Sequence, residues 1–270
     1  MNKPSYILKR HQDFLDKKIN LEQVHKEYEQ KISEIKDANC IITDCFDVNH
    51  PVNITDNPLS GSIYTLKDNV VTKGIRTTGA SKFLDNFIPP YDATLYSLLK
   101  QSGAILTSKC NLDQFGMAGT GTYSDYGIVK NVHDQTRITG GSSSGSVNLV
   151  AAKAVDFAIG SDTGDSIRRP AAFAGVVGYK PTYGLISRYG VLPYSPSLDH
   201  LGIITNSVID AALVADQICQ FDPKDYTSQK LDHEFFKNLK IQKNLKIAVI
   251  KGIENDIQEN ERKIYLNTLD

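Results

Sequence analysis

Near the N-terminus apolar residues recur at three- and four-residue steps: Leu21, Val24, Tyr28, Ile32 and Ile35. That spacing places them on one face of a helix. Asn20 immediately before, with Gln23 three places on, has the form of a capping box. The remaining positions are rich in Glu and Lys, which makes this a surface helix packing one stripe on a core. A turn-rich connection, "CIITDCFDVNHPVNITDNPLSGS", then leads into a short apolar strand, "SIYTL", that stops at Lys67-Asp68-Asn69.

Strand and helix patterns alternate from there. "DATLYSLLKQSG" predicts a helix with Asp92 as N-cap, apolar Leu95, Leu98 and Leu99, and Gly103 beyond its end. "AILTS" reads as a strand, "NLDQFGM" as a short helix opening at Asn111, and "AGTGTYSDYG" as a loop. "SVNLVAAKA" predicts a helix of small residues, "VDFAIG" a buried strand and "SIRRPAAF" a further helical turn. "NSVIDAALVADQIC" predicts an amphipathic helix from Asn206, and "LKIAVIKG" another strand. The chain closes on "NERKIYLNTLD", in what reads as the next helix. This alternation predicts an α/β fold whose sheet is covered on its faces.

Composition narrows the function classes. The 270 residues carry 30 Lys and Arg against 31 Asp and Glu, a net charge of −1, so no global basic field argues for nucleic-acid binding. Cys40, Cys45, Cys110 and Cys219 form no CxxC pair and show no metal-ligand spacing with His; they read as buried, reduced thiols, and no metal site is expected. The N-terminal stretch lacks the apolar core of a signal peptide, and no run approaches the roughly 18 apolar residues of a membrane span. The expectation is a cytoplasmic protein.

The candidate chemistry begins at "GGSSSGS", residues 140–146. A phosphate loop of the form G-x-x-x-x-G-K-[ST] is excluded because no Lys stands at the required place. A solvated linker is disfavoured because the run passes directly into an apolar helix. Ser143 satisfies the G-x-S-x-G pattern of a nucleophile elbow, but "NVHDQTRIT" before it is too polar for the central strand that motif needs, and Asp199 and His200 are adjacent rather than well separated. A second Gly/Ser turn, "AIGSDTGDSIRRPAA", follows a buried strand and opens a helical turn at Ser166. Backbone N–H groups converge at such junctions and make an oxyanion site beside a hydroxyl. A serine there still needs a base, and neither run contains His. Lys67, at the polar end of its strand, becomes a base near neutral pH only if burial lowers its pKa. Spacing alone leaves Lys67 open between that role and a solvated surface charge.

Taken together, Lys67-Asp68-Asn69, "GGSSSGS", "GSDTGDSIRRPAAFAGVVGYKPTYGLISRYGV" and "SLDHLG" resemble the amidase signature family, and Ser142 and Ser166 stand 24 positions apart (166 − 142), the spacing of that family's two active serines. Within the family, "KDNVVTKGIRTTGASKFLDNF" and "YDATLYSLLKQSGAILTSKCNLDQFGM" look most like the amidase components of tRNA-dependent amidotransferases. The resemblance spans about residues 20 to 260. It implies the amidase-signature fold, a mixed central sheet with helices on both faces. Residues 1–60 would be a helical region packed on a core of residues 61–270, incomplete at its C-terminal end.

The resemblance also assigns roles. Ser166 would be the nucleophile toward glutamine, Lys67 in neutral form the base, and Ser142, entered by a cis peptide, the proton relay. Backbone N–H groups of Thr163, Gly164, Asp165 and Ser166 would form the oxyanion hole, and Met117, Ala118, Gly119 and Thr120 the substrate-binding loop. No cofactor is expected on this chain. Ammonia would pass to a B subunit that uses ATP and Mg to amidate misacylated tRNA, with a small C subunit completing the assembly. Arg168 is expected to anchor its loop through a carboxylate, and Asp199 to fix a loop as a hydrogen-bond acceptor.

Two positions depart from the family pattern: Ser144 and Asp165 stand where glycines are usual. Asp165 is expected to point outward and cap the turn that starts at Ser166. Family members also run well beyond 270 residues, and their later half grips the glutamine amino and carboxylate groups. A free-standing small-amide amidase and a non-catalytic, truncated assembly subunit therefore stay open as alternatives.

Overall fold

The structure is a computed structural model that describes residues 4–47, 53–232, 234–240, 246 and 248–269. Helices α1 (Tyr6–Leu15) and α2 (Leu21–Glu34) come first, then strands β1 (Ile41–Asp44) and β2 (Ile63–Lys67). Helix α3 (Thr94–Gln101), β3 (Ile105–Cys110), α4 (Ser144–Ala151) and β4 (Phe157–Asp162) follow. The chain continues through α5 (Arg168–Ala174), β5 (Val177–Tyr179), β6 (His200–Thr205), α6 (Val208–Ile218) and α7 (Glu259–Leu269). The six strands form one mixed sheet in the order β1-β3-β2-β4-β6-β5. β2 runs parallel to β3 and β4, and the other neighbours pair antiparallel.

Alternation along the strands decides which side chains meet which helices. Tyr64, Leu66, Phe157 and Ile159 pack with Leu95 and Leu99 of α3 and with α6 in one core cluster. Ile63, Ile105 and Ala158 pack with Val147 and Val150 of α4 and with Val24 and Tyr28 of α2 in the other. Two apolar layers thus sandwich the sheet, as the α/β fold class requires. Lys67 shares its parity with Ile63, so the β2 pleat aims it at the α4 side of the sheet.

Residues 1–239 form one compact unit and residues 240–270 a second. In the first, α1 is pinned by long-range polar contacts. Arg10 Nε donates to Asp156 at the mouth of β4 (2.7 Å), and the Tyr6 and Ile7 N–H groups donate to Asp210 of α6 (3.2 and 3.3 Å). In the second, α7 follows a short 3-10 turn, Ile253–Asn255.

Several local expectations hold. The Asn20–Gln23 capping box is present in both directions, each bond 2.9 Å. Others are corrected. Ala93, not Asp92, is the N-cap of α3; the Asp92 carboxylate accepts the Lys73 N–H instead (2.6 Å). α6, expected to start at Asn206, starts at Val208, and Ser207 caps it by accepting the Asp210 N–H. "NLDQFGM" contains only the 3-10 turn Gln114–Gly116, interrupted by Phe115 at a positive φ of 52°. Of the strand expected at "LKIAVIKG", Leu245 and Ile247 lie outside the described residues, and 248–250 are not in a strand.

Candidate active site

Three loops converge where β2 and β4 end at their C-terminal edges beside the N-terminus of α4. Lys67 closes β2 with no exposure to solvent. Its Nζ donates to Ser142 Oγ at 2.6 Å, to Ser143 Oγ at 3.0 Å and to the Ser161 carbonyl at 3.3 Å. Burial pushes its pKa down from 10.5 to about 7, and the thiol of Cys110 and the carboxylates of Asp113, Asp162 and Asp199 only partly oppose this. Among the described residues no carboxylate touches Nζ directly; its partners are hydroxyls and a carbonyl. Such a lysine is uncharged about half the time at neutral pH, the condition for taking a proton.

Ser142 is fully buried and is entered through a cis Gly141–Ser142 peptide. Ser143, which in sequence only matched the elbow pattern, touches the lysine and ties the loops together. Its hydroxyl exchanges hydrogen bonds with the backbone of Ser161 (3.1 and 3.3 Å), and its N–H donates to the carbonyl of Ser166 (3.1 Å). That last bond brings the Ser166 loop against the Ser142 loop. Ser166 is 6% exposed.

The loop between β4 and α5 presents its backbone outward. Among the described residues no hydrogen bond engages the N–H groups of Thr163, Gly164, Asp165 or Ser166, whereas those of Ile167 (2.9 Å) and Arg168 (3.3 Å) donate to Asp162 Oδ2. A Cβ built on Gly164 would meet nothing within 4 Å, so the loop faces open space there. Asp162 is thus the carboxylate that caps α5, which corrects the expectation for Asp165. Asp165 instead pairs with Arg169, one helical turn on, with both side chains partly exposed. Arg168 does anchor the loop, donating to Asp162 Oδ1 at 3.0 Å and to the Gly164 carbonyl. Asp199 acts as the expected acceptor, holding Thr163 Oγ1 (2.5 Å) and the N–H groups of Tyr194 (2.9 Å) and Ser195 (3.0 Å). It also borders a cavity of about 360 Å³ lined further by Arg188, Tyr189, Lys224 and Tyr226.

Met117, Ala118, Gly119 and Thr120 form the third loop, with Met117 56% exposed at the rim. Sequence reasoning missed what holds this loop. Asp113, fully buried, accepts the N–H groups of Thr120 (3.1 Å), Gly121 (3.0 Å) and Tyr123 (3.0 Å), and its own N–H donates to the Ser142 carbonyl (3.2 Å). The signal available in the sequence was an acidic residue just before a Gly/Thr run, the usual form of a side chain gathering turn amides. Among the described residues no group of three or more His, Cys, Asp or Glu is arranged to hold a metal ion.

The Ser142 hydroxyl thus lies on a buried lysine, and the Ser166 loop is tied to the Ser142 loop through the Ser143 N–H. The chain belongs to the amidase family, whose profile matches residues 15–270. It is 45% identical over 257 residues to the glutamyl-tRNA(Gln) amidotransferase A subunit of Mycoplasma pneumoniae, covering 93% of this chain and 54% of that protein. The same-named protein of Sulfurisphaera tokodaii is 41% identical over 271 residues, covering 98% of this chain and 57% of that protein. Among solved structures, the glutamyl-tRNA(Gln) amidotransferase A subunit from Thermotoga maritima superposes with a TM-score of 0.70 at 36% identity over 80% of this chain and 50% of that one. A peptide amidase from Stenotrophomonas maltophilia superposes with a TM-score of 0.79 at 29% identity over 86% of this chain and 52% of that one. The chain spans about half the length of these relatives. Among the described residues no helix is long and apolar enough to cross a membrane.

Proposed function

We propose that this chain carries the amide-hydrolysing site of a tRNA-dependent amidotransferase, with glutamine as the ammonia donor. The observation that carries the reading is the 2.6 Å contact between Ser142 Oγ and the Nζ of a buried lysine whose pKa is about 7. With Lys67 neutral, the contact runs in reverse: the Ser142 hydroxyl donates to Nζ. Ser142 then accepts the proton of Ser166 as Ser166 Oγ attacks the carboxamide carbon of glutamine. The new C–O bond places negative charge on the former carbonyl oxygen, opposite the N–H groups of Thr163, Gly164, Asp165 and Ser166. Loss of one such donor typically costs about 100-fold in rate. Collapse breaks the C–N bond, and the proton held on Lys67 returns through Ser142 to the departing ammonia. Water then hydrolyses the ester to glutamate and frees Ser166.

Met117, Ala118, Gly119 and Thr120 would form one wall for the substrate. The ammonia acceptor would be the glutamyl ester on misacylated tRNA, activated with ATP and Mg on a B subunit, with a small C subunit joining the two in the cytoplasm. The relatives' name, A subunit of a glutamyl-tRNA(Gln) amidotransferase, supports a place in a multi-subunit, tRNA-dependent enzyme. The likeness to a peptide amidase supports a second reading, a free-standing amidase acting on small amides.

A serine-directed acylating probe followed by peptide mass spectrometry tests the site. The expected adduct lies on Ser166 and disappears in Ser166→Ala. An unlabelled chain indistinguishable from Ser166→Ala would make it a non-catalytic assembly subunit. Glutamine-dependent amidation of Glu-tRNA in the presence of a B subunit, set against hydrolysis of simple amides without one, separates the two enzymatic readings.

A further inference from the structure

The loop from Thr163 to Ser166 contains a conflict. Its four N–H groups are engaged by no hydrogen bond among the described residues, an arrangement that attracts anions. The same loop carries a carboxylate, Asp165, which would be the nearest anion to those groups if its side chain were free to turn. It is turned the other way. Its Oδ1 accepts from Arg169 Nη2, while Nη1 of the same guanidinium donates to the Gly119 carbonyl at 3.2 Å.

Gly119 leaves the room in which the guanidinium lies. A Cβ on Gly119 would stand 2.7 Å from both terminal nitrogens of Arg169, so only a glycine lets the fork lie across the substrate-loop backbone. Arg169 Nε is buried and has no hydrogen-bond partner among the described residues, so the fork nitrogens make the polar contacts. The two side chains are 39% and 42% exposed, so solvent screens their attraction and the pair adds little to stability. Its consequence is conformational: it decides where the carboxylate points.

We propose that Arg169 is a positioning residue that keeps the Asp165 carboxylate out of the oxyanion hole, in space that Gly119 leaves open. The inference rests on the amidase reading above. Without Arg169 the carboxylate turns onto its own loop amides, occupies the place of the reacting oxygen and opposes negative charge there.

The test is the rate of Ser166 acylation by a serine-directed acylating probe, measured for the parent chain, Arg169→Ala, Arg169→Ala with Asp165→Gly, Arg169→Lys and Ser166→Ala. Thermal unfolding of each confirms that it is folded. Arg169→Ala should slow acylation about tenfold or more, the scale of partly losing an oxyanion donor set. Adding Asp165→Gly should recover most of that loss, and Arg169→Lys, which keeps a charge for Asp165, should lose less than Arg169→Ala. A rate unchanged in Arg169→Ala, or a slow rate that Asp165→Gly does not recover, overturns the proposal and leaves Arg169 as loop packing. Labelling of Ser166→Ala equal to the parent overturns the amidase reading, and the inference with it.

Discussion

Replacing Lys67 with Met should make the protein more resistant to unfolding at low pH and progressively less so as pH rises. The wild-type lysine is neutral in the fold above about pH 7 but protonated in the unfolded chain up to about 10.5. Between those values the unfolded state binds more protons, so wild-type stability climbs with pH. Below pH 7 the fold must hold a charged, desolvated ammonium. The shift from 10.5 to about 7 corresponds to a cost of about 5 kcal/mol there. Methionine fills a similar volume and carries no proton, so the variant lacks this term at every pH. Loss of the hydrogen bonds to Ser142 and Ser143 subtracts a nearly constant amount, about 1 kcal/mol each. The diagnostic is therefore the slope: the stability difference, variant minus wild type, should fall by about 3 kcal/mol between pH 6 and pH 9. Urea denaturation of both proteins across that range measures it, and other titrating groups cancel in the difference. In parallel, Ser166 acylation of the wild type should rise about tenfold per pH unit below 7 and level off above it. A pH-independent stability difference would refute a neutral Lys67, and with it the proton-relay mechanism.

Other perturbations follow from the same geometry. Asn20→Ala removes one half of the α2 capping box and should cost about 1 kcal/mol in urea denaturation, with little change in Ser166 labelling. Gly141→Ala would drive a Cβ into the Asp113 carboxylate and to 2.9 Å from the Gly121 N, so it should displace both loops and slow acylation about 100-fold or more in a kinetic assay. Asp113→Ala frees three loop amides. It should raise KM for the amide substrate more than it lowers kcat, and a purely kcat effect would detach Asp113 from the substrate loop. Lys109→Met strands Asp68 as a buried, unpaired carboxylate and should destabilise by about 3–5 kcal/mol at neutral pH, read by urea denaturation.

The repeating parts of the fold were legible because periodicity reports burial directly. The stripe of α2, the β2 and β4 strands and the small-residue helix α4 all stand where their patterns put them. What escaped was held by long-range contacts that a local window does not contain. Helix α1 exposes a mixed sequence and is fixed by Arg10–Asp156 and by Asp210, partners far along the chain. β1, β5 and β6 were passed over for a related reason. β5 is three residues long and β1 four, and β6 follows directly on a turn, so each takes its conformation from the sheet it joins rather than from its own alternation. The expected cap of α3 went astray because Asp92 is engaged by the Lys73 N–H, leaving the helix to start after Ala93 with no side-chain cap. α6 starts later than expected, where Asn206 and Ser207 both satisfy the local capping rule. Only the geometry of entry selects one.

The site was legible as a set of residues and illegible as an electrostatic arrangement, and the two buried lysines show why. Lys67 and Lys109 are both fully buried on adjacent strands, and burial pushes the pKa of each down. In sequence both have the same form, a lysine at or near the end of an apolar strand. Their surroundings differ. Lys109 Nζ lies 3.3 Å from Asp68 Oδ1 and donates to the Val70 carbonyl (2.6 Å) and Thr77 Oγ1 (2.8 Å), so a carboxylate favours its charge and its protons are committed to a structural network. Lys67 faces hydroxyls and a carbonyl, with no carboxylate in contact among the described residues, so the more distant carboxylates compensate its charge only in part. Burial without a counter-ion, next to a group able to give up a proton, turns a lysine into a base. Burial with a counter-ion turns it into a brace. The choice depends on which face of β2 and β3 each residue occupies and on what packs against that face, which becomes fixed only when the three loops meet.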